Sequence, residues 1–137
     1  MSLVRGSRAR LELVTEDGVL PIGGLRTRRF EVTGETPDAS DALGEGWRRL
    51  ADCAGLRRAE LTGLGVFVSE EAADAVRALA LSGGVAEWRL VLPPTGALVG
   101  PFQVAALHYD AEEEGEAMFR LRLASAGPIT FEPETQP

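Results

Sequence analysis

Several residue types are scarce or missing in this 137-residue chain, and each absence excludes a class of protein. Cys53 is the only cysteine, which excludes the disulfide framework of small secreted domains. His108 is the only histidine, so no second imidazole can complete a metal cluster or activate a nucleophile. No apolar run approaches the roughly 20 residues of a membrane-spanning helix. We therefore expect a protein that folds in a cytoplasm, holds no metal or cofactor, and does not insert into a membrane.

Lysine is also absent, so all 14 basic residues are arginines, and 21 acids give a net charge of −7. This excess of acid disfavours a protein that binds nucleic acid through its overall charge. The whole deficit lies in residues 61–137, which contain four arginines and eleven acids. The densest acidic run extends from Asp110 to Glu116, and such a run is usually a solvated turn between strands.

Apolar and polar residues alternate along most of the chain, with the period of two that is typical of half-buried strands. The alternation predicts strands near residues 10–13, 25–33, 56–68, 85–92, 98–109, 117–123 and 129–132. Within the third of these, Gly63 and Gly65 indicate either a bulge or a close approach of another backbone. Ser69 and Gly83 fit the two ends of a single predicted helix, about 70–82. We therefore predict one mainly β domain over 1–137, a β-sandwich or barrel with one flanking helix and a frayed tail over 133–137.

The segment from Gly34 to Gly46 is rich in glycine, proline, serine and aspartate, which predicts a long loop. Loops of more than about 12 residues usually serve a function, so this one is a candidate contact with a partner. Trp47 and Arg48 follow it directly, and both residue types are common at binding hot spots. From the residues alone, Trp47 fits an interface anchor and a core tryptophan equally well.

Enzymatic chemistry finds little support in the sequence. Gly63-Leu64-Gly65 lacks the third glycine of a dinucleotide-binding fingerprint and lies in a predicted strand. The neighbouring glutamates of the acidic run have no evident cause for a shifted pKa. We expect no catalytic, cofactor-binding or metal-binding residues, and hence not an enzyme.

Four stretches carry a resemblance to a known family: GLRTRRFEVTGETPDASD, GWRRLADCAGLRRAELTGLGVF, AEWRLVLPPTGALVGPFQVAALHYD and ASAGPITF. In this order and spacing, they resemble the major tail tube proteins of long, non-contractile phage tails, and within that family the version carried by alphaproteobacterial gene transfer agents. The likeness runs from about Gly24 to Phe131. The arginine-rich segment before Leu13 and the last residues from Glu132 onward depart from the family pattern.

The resemblance implies a structural subunit of a tail tube. Such subunits form hexameric rings whose inner sheets join into a continuous β-barrel around a channel, and the rings stack into a tube. It implies a place in the tail of a virion or gene transfer agent particle assembled in the bacterial cytoplasm. The implied partners are further copies of the chain and other tail proteins, namely the tape measure, distal tail and terminator proteins, while DNA passes through the channel without specific binding.

The resemblance also suggests roles for particular residues. The loop before Trp47 resembles the arm that reaches the adjacent ring, with Asp38, Asp41, Trp47 and Arg48 as its candidate contacts. Acidic side chains would keep DNA from sticking to the channel wall, which makes Glu112, Glu113, Glu114 and Glu116 candidate lining residues. Those four acids fit the channel, the outside of the tube and the next ring equally well.

Other functions remain open from the sequence. Another ring protein of the same fold, such as a tail terminator or a secretion-system inner tube, fits the same pattern. A monomeric β-sandwich module that binds a basic partner or calcium through the acidic run is a second alternative, although the run lacks the Asp-x-Asp spacing of a calcium loop. A small hydrolase fits least well, for want of a nucleophile and base pair.

Overall fold

The computed structural model describes residues 9–41, 44–110 and 118–133. Seven strands and one helix follow each other along the chain: β1 Arg10–Thr15, β2 Gly18–Gly34, β3 Arg57–Phe67, α1 Glu70–Ser82, β4 Val85–Leu92, β5 Gly96–Asp110, β6 Met118–Ser125 and β7 Thr130–Pro133. The prediction of a mainly β fold with one helix is confirmed. No helix among these residues is both long and apolar enough to span a membrane.

The strands form one antiparallel sheet in the order β4-β1-β2-β3-β6-β5-β7, and β4 also pairs with β5. This last pairing closes the first six strands of that order into a barrel. Closure leaves fewer unpaired backbone groups than an open sheet of the same length.

Strand β2 is longer than its alternation predicts, because it also includes Pro21, Gly23 and Gly24. Its first part pairs with β1 as far as Gly24, and its second part pairs with β3 from Gly23 onward. A bulge lies between Leu25 and Thr27, where β2 passes from one neighbour to the other. The two partners stabilise a strand across residues that would by themselves favour a turn.

Strict alternation in β6 divides the molecule into an inside and an outside. Phe119, Leu121 and Leu123 are buried, whereas Arg120 and Arg122 are exposed. Trp88 of β4 is the largest fully buried side chain, and it lies in the same core. The core thus fills the interior between the two sides of the closed sheet, as the sequence predicts.

Helix α1 is capped as the sequence predicts. The Ser69 hydroxyl accepts a hydrogen bond of 3.0 Å from the amide of Ala72, and Gly83 ends the helix in the left-handed conformation. Ala72 and Val76 bury one side of the helix against the sheet. The hydroxyl of Tyr109, which donates to the Ala73 carbonyl at 3.2 Å, ties the helix to β5.

One part of the sheet deserves its own name because it has two free edges. We call it the front sheet: residues 25–34 of β2, all of β3 and β6, and residues 102–110 of β5. On its β2 side, the pairing with β1 stops at Gly24, and on its β5 side, the pairing with β4 stops at Gln103. Within the described part of the chain, residues 27–34 and 104–110 therefore have no strand on their outer sides.

Candidate functional site

The described residues of the connection between β2 and β3, 35–41 and 44–56, form a hairpin that we call the arm. Its two halves are joined by backbone hydrogen bonds from Glu35 to Leu56, from Ala39 to Arg49 and from Ala51 to Pro37, of 2.8 to 2.9 Å. The predicted loop over 34–46 is therefore only the first half of a longer element, and Gly34 belongs to β2. The prediction stops at residue 46 because the second half of the hairpin has no regular sequence pattern and is held by its pairing with the first half.

Glu35 fixes the base of the arm. Its carboxylate accepts a hydrogen bond of 2.7 Å from the amide of Leu56, and its carbonyl accepts one of 2.7 Å from the guanidinium of Arg57. These contacts close the hairpin where it leaves the sheet. No local pattern in the sequence indicates this role, because Glu35 and Leu56 are 21 residues apart.

Asp38 and Ser40 form a clasp in the middle of the arm. The Asp38 carboxylate accepts a hydrogen bond of 2.7 Å from the amide of Ser40, and the Ser40 hydroxyl accepts one of 2.8 Å from the amide of Arg49. The bonds from Ser40 are the main reason that the pKa of Asp38 is lowered, and the charge of Arg48 contributes less. Asp38 therefore shapes the arm itself. The Asp-x-Ser spacing is a local turn signal that sequence reasoning could have used.

Trp47 lies beside the turn at the end of the arm. The turn is held by hydrogen bonds from the Gly44 amide to the Asp41 carbonyl and from the Trp47 amide to the Gly44 carbonyl. The side chain of Trp47 is 79% exposed, so the alternative of a core tryptophan is wrong. A tryptophan this exposed presents apolar surface that a partner can cover. The arm thus carries the four candidate contact residues, Asp38, Asp41, Trp47 and Arg48.

The exposed side of the front sheet, which we call the front face, is rich in charge. It carries four arginines and two glutamates: Arg29, Arg58, Arg120, Arg122, Glu31 and Glu60. Arg29 pairs with Glu31 at 3.2 Å. Arg120 and Arg122 form no ion pair with any residue in the described ranges. The described part of this face is therefore positively charged overall.

The predicted channel acids Glu112, Glu113, Glu114 and Glu116 lie outside the described residues. They belong to the segment that connects β5 to β6, the two strands at one side of the front sheet. In the described ranges, no three residues among His, Cys, Asp and Glu come close enough together to hold a metal ion.

An apolar groove opens beside the base of the arm, and sequence reasoning missed it. Its walls come from the end of β2, the start of β3 and the segment leading into β7, and its volume is about 690 Å³. The apolar lining includes Phe30, Val32, Leu98, Ile129 and Phe131. Four segments that are distant in the sequence form the groove, because Leu98 of β5 also lines it, so no local pattern predicts it.

Ion pairs hold β7, which forms one wall of the groove, against the barrel. The guanidinium of Arg89 on β4 contacts the carboxylate of Glu12 at 3.0 Å and that of Glu132 at 3.3 Å. Glu12 is buried, and it also pairs with Arg10 at 3.3 Å. This network joins β1, β4 and β7 on the side of the barrel away from the front sheet.

Comparisons with known proteins agree with this architecture. A subunit from the tail of an empty gene transfer agent (GTA) particle, solved by helical refinement with C6 symmetry, is 32% identical, with a TM-score of 0.75 over 90% of this chain and 94% of that one. A chain from the virion of a native GTA particle is also 32% identical, with a TM-score of 0.76 over 93% and 97%. The SPP1 tail tube protein shares the fold at 14% identity, with a TM-score of 0.66 over 98% and 81%. Curated protein sequences provide no match.

The family model that describes the phage tail tube protein matches residues 9–131, which is nearly the whole chain. The matched region contains every strand from β1 to β6, the arm and all residues that line the groove. The chain therefore belongs to the phage tail tube protein family.

Proposed function

We propose that this tail tube subunit assembles into hexameric rings that stack into a tube, and that the tube conducts DNA in the tail of a phage or gene transfer agent particle. Its role is structural rather than catalytic. The observation that carries the proposal is the front sheet, whose two edges both lack a partner strand in the described chain. The C6 symmetry of the related GTA tail supports six copies per ring.

The two free edges are complementary. Neighbouring strands across the front sheet run in alternating directions, in the order β2, β3, β6 and β5, so β2 and β5 are antiparallel to each other. Residues 27–34 of one copy can therefore pair with residues 104–110 of the next as an ordinary antiparallel ladder. Such a contact is heterologous, and it generates a closed ring when the rotation between copies is right.

Six front sheets joined in this way would give a barrel of 24 strands. With strands about 4.8 Å apart, its backbone would measure roughly 37 Å across, or more if the strands tilt. Barrels of 16–18 strands already leave an aqueous channel, so this one would hold a wider opening. The opposite side of the front sheet is filled by the core, which leaves the front face to line the channel.

The charge of that channel depends on residues beyond the front face. The described front face carries more arginine than glutamate, so it does not itself repel DNA. We propose that Glu112, Glu113, Glu114 and Glu116 supply the negative excess at the rim of the channel, beside Arg120 and Arg122. Acids placed there would offset the arginines and keep the affinity for phosphate low.

The arm supplies the contact between rings. It projects beyond the end of the front sheet, and its exposed Trp47 and Arg48 suit a protein interface. Asp38 maintains the shape of the arm, and Asp41 supports the turn that presents Trp47. Other tail proteins, namely the tape measure, distal tail and terminator proteins, would contact the tube inside and at its two ends.

Electron microscopy combined with amide hydrogen exchange tests this proposal. The purified protein, alone and with tail-tip components, is imaged across a concentration series, and exchange is compared between subunits and assemblies. We expect rings or tubes with an open channel, and new protection at 27–34 and 104–110. Strand β1 serves as the control, because it has partners on both sides within the subunit. A monomer under every condition, or assemblies with no new protection at these two edges, would contradict the proposal.

A further inference from the structure

We infer that the apolar groove of one subunit receives Trp47 from the arm of a second copy. The inference rests on the proposed assembly and goes further, because it assigns the surface that holds the arm. The groove is concave and lined by apolar side chains, whereas Trp47 is a large apolar side chain that its own subunit leaves 79% exposed. The groove offers an apolar cavity, and Trp47 offers an apolar side chain that can fill it.

The groove is open to a partner in the free subunit. Val32 is 61% exposed and Phe131 is 46% exposed, so neither side chain is covered by its own subunit. The volume of about 690 Å³ is large enough for an indole ring together with part of the chain that carries it. An apolar hollow of this size on a subunit that assembles is a natural interface.

Distance favours the arm of a neighbour as the occupant. The arm runs about six extended residues from its base at Glu35 to its turn at Asp41, which corresponds to roughly 20 Å at 3.3 Å per residue. The groove opens beside the base of the arm, whereas Trp47 lies beside the turn at the far end, so the pairing of the hairpin holds Trp47 away from the groove of its own subunit. The tryptophan is therefore free to enter the groove of a second copy, in the adjacent ring that the arm contacts.

Charge at the two surfaces is also complementary. Arg58 borders the groove and forms no ion pair with any residue in the described ranges. Glu45 lies two residues before Trp47, is exposed, and likewise forms no ion pair there. With Trp47 in the groove, Glu45 lies beside the rim, where its carboxylate can pair with Arg58.

A double-mutant cycle on assembly tests the contact. The critical concentration for tube formation is measured by light scattering for Trp47→Ala, Val32→Asp and the double variant. We expect each single substitution to raise it at least tenfold, and the double variant to exceed the larger single effect by less than twofold, because both changes remove one contact. Val85→Asp is the matched control, since Val85 is also a strand valine, is 57% exposed, and lies outside the groove. Its critical concentration should stay within twofold of the wild type.

Disulfide trapping is a second measurement, and it is made on assembled tubes rather than on variants that assemble poorly. In a Cys53→Ser background, Trp47→Cys with Val32→Cys should give covalent dimers and higher multimers when preformed tubes are oxidised. The same arm cysteine with Leu81→Cys on α1 should not, although Leu81 is 83% exposed.

The outcomes separate this inference from the proposed function. Three results would overturn the groove assignment while tubes still form. The effects of the two single substitutions could multiply in the double variant, Val32→Asp could assemble like the wild type, or trapping at Leu81 could equal trapping at Val32. Failure of the wild-type protein to form rings or tubes under any condition would overturn the proposed function, and the groove assignment with it.

Discussion

At the scale of single residues, the front sheet depends on a position without a side chain. Gly65 of β3 lies against the backbone of Gly24 on β2, and a methyl group there would also come within 3.0 Å of the Phe119 ring. The close approach of another backbone that the sequence predicted is present at Gly65, whereas Gly63 meets the side chain of Leu25, and the bulge lies in β2. This position allows β2, β3 and β6 to come together over a stacked pair of rings, Phe67 and Phe119.

Gly65→Ala should destabilise the subunit by about 1–3 kcal/mol, because the added methyl group meets backbone rather than a flexible side chain. Urea denaturation of the unassembled subunit measures the effect. Gly24→Ala is the matched control: its methyl group would meet no atom closer than 3.9 Å, so its stability should stay within about 0.5 kcal/mol of the wild type. Equal stability of the two variants would contradict this explanation of the glycine.

At the scale of elements, the arm is an extended hairpin stabilised by a few polar contacts rather than by a core. The clasp between Asp38, Ser40 and Arg49 is exposed, and the Asp38 carboxylate accepts its hydrogen bond from the Ser40 amide. A lowered pKa means that the folded arm favours ionised Asp38. The contribution is complete above the ordinary value of 3.8 and is lost as the pH falls through the lowered pKa.

The amide proton of Ser40 should therefore report this titration. Its NMR chemical shift is expected to change with a midpoint below pH 3.8, together with the shift of the Arg49 amide. Asp38→Asn keeps an oxygen that accepts the same hydrogen bond but does not titrate, so it should remove the transition and retain the arm. A midpoint at or above 3.8 in the wild type would show that the carboxylate does not hold the arm.

The elements differ in how far the sequence predicts them. Alternation identifies β4 and β6 because one face of each strand is more buried than the other. It fails at the start of β2, where two neighbouring strands stabilise residues with poor strand propensity. It also fails for the second half of the arm and for the groove, since both arise from backbone pairing or contacts between distant segments. The exposed position of Trp47 needed the structure, because composition alone allowed a place in the core.

At the scale of the whole molecule, the uneven distribution of charge bears on the wall of the proposed channel. Two arginines of the front face, Arg120 and Arg122, follow the acids of residues 112–116 closely in the sequence. In a ring, this arrangement would repeat around the channel. The balance between the two sets would then decide whether DNA slides or sticks.

Reversal of Glu112, Glu113 and Glu114 to arginine should therefore make assembled tubes retain DNA. The affinity should fall as salt rises, with a slope of log K against log salt of about −0.9 for each phosphate neutralised. Reversal of Glu16, Asp17 and Glu87 is the control, because these exposed acids lie in β4 and in the β1–β2 turn, away from the front sheet. DNA retention that is equal in the two variants would place the acidic run outside the channel.

The contrast between the two tryptophans gives the protein a pair of built-in optical probes. Trp88 is 1% exposed and Trp47 is 79% exposed, so in the free subunit the first indole ring lies in the apolar core and the second lies in water. Unfolding of a subunit moves Trp88 into water and shifts its fluorescence to longer wavelength, whereas burial of the arm in the proposed assembly would shift that of Trp47 to shorter wavelength. Emission from the unlabelled protein therefore distinguishes denaturation from polymerisation by the sign of the shift alone.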